Sequence, residues 1–298
     1  MAVPMTIAEF RTLSEPGLSN IWHSSWPLVE TEFNKIFNVR DQEKLVITDA
    51  KMAGFGGLET ISEGGPVTYK SAITPVERSY NVVKRGLGYK ITEKLRDFEL
   101  YGQVALFERD LMEVSADDID NFAFAVLNNA TATTVSTGFD GLALASASHT
   151  RLDGGAVQSN FQNAALSVAT LQTARTTFNK YVNDRGRPIR IKPVMLVIPP
   201  DLENTADEIL DSQLRPDTAN NTINVITRYG LGKHVSRYIT STTFWALVGD
   251  SHDLNFFWWK RPQSASEIDF DTDTIKRKVV QAYGRGHGEW RGFLLGDN

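Results

Sequence analysis

The chain has no cysteine among its 298 residues. Disulfides, thiolate metal sites and a cysteine nucleophile are therefore excluded. Basic residues are outnumbered as well, 31 against 36 acidic, for a net charge of −5. Proteins that grip nucleic acid normally present a basic patch, because phosphate neutralisation supplies most of the affinity. The densest basic run, Lys276-Arg277-Lys278, lies in a strand-like segment and reads as a solvated or interface strand rather than a phosphate contact. No apolar run reaches the length of a membrane span. The opening MAVPMTIAEFRTL lacks a basic region followed by an apolar core, so it is no secretory signal. A cytosolic or cytosol-assembled protein is expected.

Catalytic patterns are missing too. The five histidines, His23, His149, His234, His252 and His287, are dispersed, and no HExxH pair occurs. Asp250-Ser-His-Asp253 sits between two strand candidates and reads as a turn. Asp269-Phe-Asp-Thr-Asp273 opens like a calcium loop, but Thr274 stands where glycine is required and Val280 where the bidentate acid belongs. Alternating acids on one strand face account for it better. Glycines 54, 56, 57, 64 and 65 fit neither phosphate-binding pattern. Gly284-Arg-Gly-His-Gly288 reads as a loop joining two strands, and no serine occupies a G-x-S-x-G elbow. No catalytic, cofactor-binding or metal-ligating residue is expected, and no cofactor.

What is present is a long helix. Over residues 104–130, Val104, Phe107, Leu111, Val114, Ile119, Phe122 and Val126 recur mostly at steps of three and four. Glu108, Asp110, Glu113, Asp117, Asp118 and Asp120 are expected on its wet face. Such a helix is either an ordinary amphipathic one, whole or broken in two near Ser115, or a rod of roughly 40 Å to which separate lobes are pinned.

Before the helix come two extended segments. Residues 1–43 form an arm, with helical hints at 6–13 and 29–37 separated by Pro16-Gly17 and Trp26-Pro27. Trp22, Trp26, Phe33 and Phe37 need a surface to cover, either the chain's own core or a neighbouring subunit. Residues 44–90 read as an extended excursion. Strands at 44–48, 67–70, 78–83 and 87–91 are separated by glycine-rich turns, and few large apolar residues could form a local core. A two-stranded ribbon is at best marginal alone, so this segment is either a flexible insertion or a loop that lies on a second subunit. A short helical piece at 92–100 leads into the long helix.

After it, residues 140–264 read as an α+β lobe. Ser167 caps a helix with Val168, Leu171, Ala174, Phe178 and Tyr181 inward, stopped near Asn183-Asp184-Arg185-Gly186. Residues 193–198 are a buried central strand. Asp201 is placed to cap a helix to about Ser212. Further strands are expected at 222–227, 234–240, 243–248 and 254–260, the last apolar on both faces and therefore either central or turned toward a partner.

Several of these phrases resemble the major capsid proteins of tailed double-stranded DNA phages, most closely the Mu-like major head subunit family. They are Val126-Leu-Asn-Asn-Ala130, Gly141-Leu-Ala-Leu with Ser148-His149, Ala165-Leu-Ser167, Asp184-Arg-Gly-Arg-Pro188 and Lys192-Pro-Val-Met-Leu-Val-Ile-Pro-Pro200. Thr243-Phe-Trp and Phe256 to Arg261 close the pattern. The likeness runs from about residue 90 onward; earlier residues match only in layout.

The resemblance implies an α+β fold of the Hong Kong 97 type. Residues 1–43 would be its N-terminal arm, 44–90 its extended loop, 91–135 a peripheral domain with the spine helix, 136–264 an axial domain, and 265–298 return strands of the peripheral domain. It implies a shell of hexamers and pentamers enclosing double-stranded DNA without sequence-specific contacts, assembled in the host cytoplasm. Portal, scaffold and decoration proteins would be its partners, and no membrane. Any scaffold would be a separate protein, since no scaffolding segment is recognised before the arm. Lys70 lies in the loop that one variant of this fold cross-links to a neighbour's asparagine, but no partner asparagine can be named and no covalent joining is expected. An encapsulin-like compartment and a soluble monomeric binding module are the alternatives.

Overall fold

The computed structural model describes residues 30–44, 46–69, 76–92, 94, 101–214 and 223–298. Its longest element is α1, Tyr101–Asn128, unbroken at Ser115. Beyond Ser115 the helix is buried on nearly every side, through Ala116, Ile119, Asp120, Phe122, Ala123, Phe124, Val126 and Leu127. The reason is its position between two sheets. Ile119, Phe122 and Phe124 share one apolar cluster with Phe256 and Tyr283 of one sheet and Val197 and Phe293 of the other. This is the rod, and two expectations about its faces fail. Glu108 and Asp120 are buried, whereas Phe107 and Val114 are exposed.

The first sheet has the order β1-β8-β9-β3-β2. Its strands are β1 (Asn38–Asp41), β2 (Val46–Lys51), β3 (Val76–Ile91), β8 (Leu254–Ile268) and β9 (Ile275–His287). β3 is one 16-residue strand where two short ones were expected. Its first residues pair with β2 and the rest with β9, so strand pairing carries it through Lys84-Arg-Gly86. β8 buries Leu254 through Trp258 on both faces between β1 and β9, as its apolar run demands. Pro262, which cannot donate to a ladder, falls where the β8–β9 register shifts.

The second sheet has the order β4-β10-β7-β5-β6. It comprises β4 (Phe161–Asn163), β5 (Pro193–Ile198), β6 (Gly232–Val235), β7 (Trp245–Gly249) and β10 (Phe293–Asp297). Helices α2 (Val168–Asn179) and α3 (Glu203–Asp211) bury Leu171, Phe178, Ala206 and Ile209 in a cluster with Leu196, Trp245 and Leu247. The two sheets divide the chain differently from the expected boundaries. β8 belongs to the first sheet, while the C-terminal β10 crosses to the second and pairs with β7 and β4.

Local expectations met mixed outcomes. Ser167 caps α2 in a capping box with Thr170, but α2 ends at Asn179. Gly186, at φ 75°, belongs to a separate turn closed onto Asn183. Asp201 is not a cap: a 3₁₀ turn, Pro200–Leu202, leads directly into α3. Residues 226–229 are 3₁₀ rather than strand. The acids at 269–273 form the β8–β9 turn, not a strand, with Asp273 at positive φ.

Gly284 and Gly286 lie inside β9 rather than in a loop. A Cβ on Gly286 would collide with the Tyr80 ring, so glycine serves here for close packing across the sheet.

The arm's aromatic question is answered for two residues. Phe33 and Phe37 are buried in the chain's own core, and the 29–37 hint reduces to a 3₁₀ turn, Phe33–Lys35. Trp22, Trp26, Lys70 and nearly all of 92–100 lie outside the described residues.

Candidate assembly surfaces

The excursion after β2 leaves the body of the protein at a clamp of charges. Lys51, the last residue of β2, reaches Asp184 at 2.7 Å and also Glu289. Arg291 meets both of these acids at 2.9 Å. Burial alone would raise the Asp184 carboxyl, but Lys51 and Arg291 outweigh it and hold the group below the usual carboxylate range. Four residues from three distant segments thus fasten the loop's base to both sheets. Sequence reasoning missed them, because the end of β2, the turn at 183–186 and the segment before β10 meet only in the folded chain.

Past the clamp, residues 52–69 form no regular structure and offer their large side chains to water. Phe55 is 77% exposed, Tyr69 93% and Leu58 fully so, with Met52, Ile61 and Val67 more than half exposed. Contiguous apolar exposure of this kind marks an interaction surface. A second open region is a groove of about 440 Å³ between α1 and β3, lined by Lys84, Arg85, Leu87, Val114 and Gln281. Its floor is Leu111 and Val279, and Arg85 is ion-paired to Asp118 at its rim.

Beside these surfaces the fold is held by buried polar pairs. The Asp120 carboxylate accepts from the backbone N–H of Phe33 at 2.8 Å and of Glu32 at about 3.0 Å, capping the turn that roots the arm. Burial pushes its pKa up to about 6 despite those hydrogen bonds. Of the Lys276-Arg277-Lys278 run, Arg277 is buried against Glu108 and Lys276 pairs with Asp269, so two of the three cations are occupied.

The dispersed histidines partly converge. His149 bonds Asp140 at 2.5 Å and Asn160 at 2.9 Å, and stacks on Trp290 at 4.2 Å. Burial would raise the Asp140 carboxyl, but His149 holds it low. His287 is buried nearby, and desolvation pushes its pKa down to about 3, so it is neutral at ordinary pH. His149, Asp140 and Asn160 bond one another and join the 140s loop to the turn before β10, whereas the buried His287 ring nitrogens have no hydrogen-bond partner among the described residues. His252 and Asp253 stand in the turn between β7 and β8, where the Asp253 carboxylate accepts from the N–H groups of Gly288 and Glu289. Among the described residues no group of three His, Asp or Glu side chains could hold a metal ion, and no helix is long and apolar enough to cross a membrane.

The family model described as phage capsid protein matches residues 75–295. The chain belongs to that family. No curated protein sequence matches this capsid protein. Its fold is similar to that of the capsid of cyanophage P-SCSP1u, with a TM-score of 0.60 at 12% identity over 90% of this chain and 88% of the other. The bacteriophage JBD30 capsid gives 0.60 at 12% identity over 71% and 92%. A virus-like particle from Pyrococcus furiosus gives 0.53 at 8% identity over 94% and 98%. The capsid protein is an α+β shell subunit of the Hong Kong 97 type and a structural component of the virion. Its surfaces for self-association are therefore its functional sites.

Proposed function

We propose that this protein is the major head subunit of a tailed phage, of the Mu-like kind, and that it closes into an icosahedral shell of hexamers and pentamers around double-stranded DNA. The observation that carries the reading is the loop at 52–69, whose large apolar side chains find no cover among the described residues. In a shell they would lie on a neighbouring copy, whose α1–β3 groove offers an apolar floor. A closed shell needs heterologous contacts that make rings, and further contacts that join the rings. Long overlapping elements bury far more area than side-by-side patches. The sheet with α1 and β9 would be the peripheral domain, and the sheet with α2 and α3 the axial domain. The role is mechanical rather than enzymatic. Assembly would take place in the host cytoplasm, with portal, scaffold and decoration proteins as separate partners. The net charge of −5 suits a container that holds a polyanion without gripping it.

The test is electron microscopy of the purified protein, intact and lacking residues 53–69. Intact protein is expected to form closed particles that protect DNA from nuclease, and the deletion to remain soluble and unassembled. Normal shells from the deletion would show that the loop is no intersubunit clasp. Particles carrying protein cargo and no DNA would favour an encapsulin-like compartment instead.

A further inference from the structure

An exposed basic run lies where β5 begins. Arg185, Arg187, Arg190 and Lys192 fall within eight residues, and Arg187, Arg190 and Lys192 are exposed with no ion pair among the described residues. Asp250, in the turn beside them, accepts from the Lys192 backbone N–H at 3.1 Å rather than from a side-chain cation. Asp184 is already taken by Lys51 and Arg291.

After the strand comes the opposite charge. Asp201, Glu203, Asp207, Glu208 and Asp211 line α3 and the turn before it, with Lys233 the only cation paired to them among the described residues. Among the described residues no ion pair joins the two runs within one chain. Each also carries exposed apolar residues: Val194 beside the cations, and Leu214, Ile223 and Val225 beyond the acids.

We propose that the basic run of one copy docks on the acidic α3 face of the next, head to tail, around the ring. The inference rests on the shell reading and names the surfaces that close its rings. Two different complementary patches on every copy are what a heterologous, ring-forming contact requires. A polyanion such as duplex DNA would also suit the cations, but it would leave the acids of α3 without a partner. Complementary charge across the contact also steers copies into register, and reversing one side sets like charges together.

The experiment reverses each side in the full-length protein and measures assembled mass by sedimentation, with thermal melts to show that each variant is folded. Arg187→Glu with Arg190→Glu, and separately Glu208→Lys with Asp211→Lys, are each expected to lower the assembled fraction about tenfold or more. All four together are expected to restore it, and an equal mixture of the two reversed pairs should co-assemble. Should the glutamate pair fail to fold, Arg187→Gln with Arg190→Gln takes its place and is expected to weaken assembly in the same direction. Assembly by wild type and by both reversed pairs alike overturns this pairing and leaves the shell reading standing. So does a folded quadruple variant that stays unassembled. The pairing is equally overturned if the arginine variants lose only salt-sensitive affinity for a short DNA duplex. A wild-type chain that remains monomeric overturns the shell reading and the pairing with it.

Discussion

Arg277 Nε lies 2.6 Å from Glu108 Oε1, with both side chains almost completely withdrawn from water. The pair ties β9 to the first half of α1, and the Tyr89 hydroxyl donates to the same carboxylate oxygen. Removing one partner strands a buried charge, at a cost of about 3–5 kcal/mol, whereas an apolar pair of similar volume is often nearly neutral. Glu108→Ala is therefore expected to lower the melting temperature sharply, and Glu108→Leu with Arg277→Met to recover most of the loss. A double variant no more stable than Glu108→Ala would show that the pair is not what joins these elements.

Asp120 gives a pH prediction whose sign is set by burial. Its folded pKa of about 6 lies above the ordinary value of 3.8. Between those values the folded state holds the extra proton, so this group's contribution to stability falls as pH rises from 4 to 6 and stays low above that. The contribution amounts to order 2–3 kcal/mol. Asp120→Asn keeps an acceptor for the Phe33 N–H without the charge. It is expected to be more stable than wild type at pH 7.5 and to differ little at pH 4. Urea unfolding at the two pH values checks this, and an equal difference at both would refute it.

Gly286 faces the Tyr80 ring within the first sheet. Gly286→Ala is expected to destabilise by about 1–3 kcal/mol through overpacking. A smaller residue at position 80, as in Tyr80→Val, should make the added methyl far less harmful. Additive losses in the double variant would mean that no steric contact links them.

Phe55, Leu58 and Tyr69 separate assembly from folding. All three are exposed, so replacing them with serine should leave the unfolding free energy within about 0.5 kcal/mol of wild type. Particle yield, counted in micrographs, is expected to collapse. Full yield would mean that these side chains cover nothing on a neighbour.

The legible parts of this fold were those in which a local pattern answers to one buried surface. The steps of three and four predicted α1 and α2, the apolar run at 193–198 predicted β5, and the two-faced apolar stretch after Asp253 left β8 as either a central strand or one turned toward a partner, of which the fold shows the first. The candidate assembly surfaces were partly legible, since a segment rich in glycine and poor in core residues announced the 52–69 loop.

What stayed hidden depends on partners far away in the chain. Glu108 and Asp120 look like wet-face acids until Arg277 and the Phe33 turn are brought against them. Gly284 and Gly286 look like a loop until Tyr80 and Asn81 press on their strand, and the basic run at 276–278 looks open until Glu108 and Asp269 occupy it. The amino-acid order alone determined which stretches bury apolar surface and at what period, because period is a property of neighbours along one backbone. Only the tertiary structure decided which sheet β8 and β10 join and which charges remain unpaired, because strand pairing and desolvation are set by residues that the fold, not the local pattern, brings together.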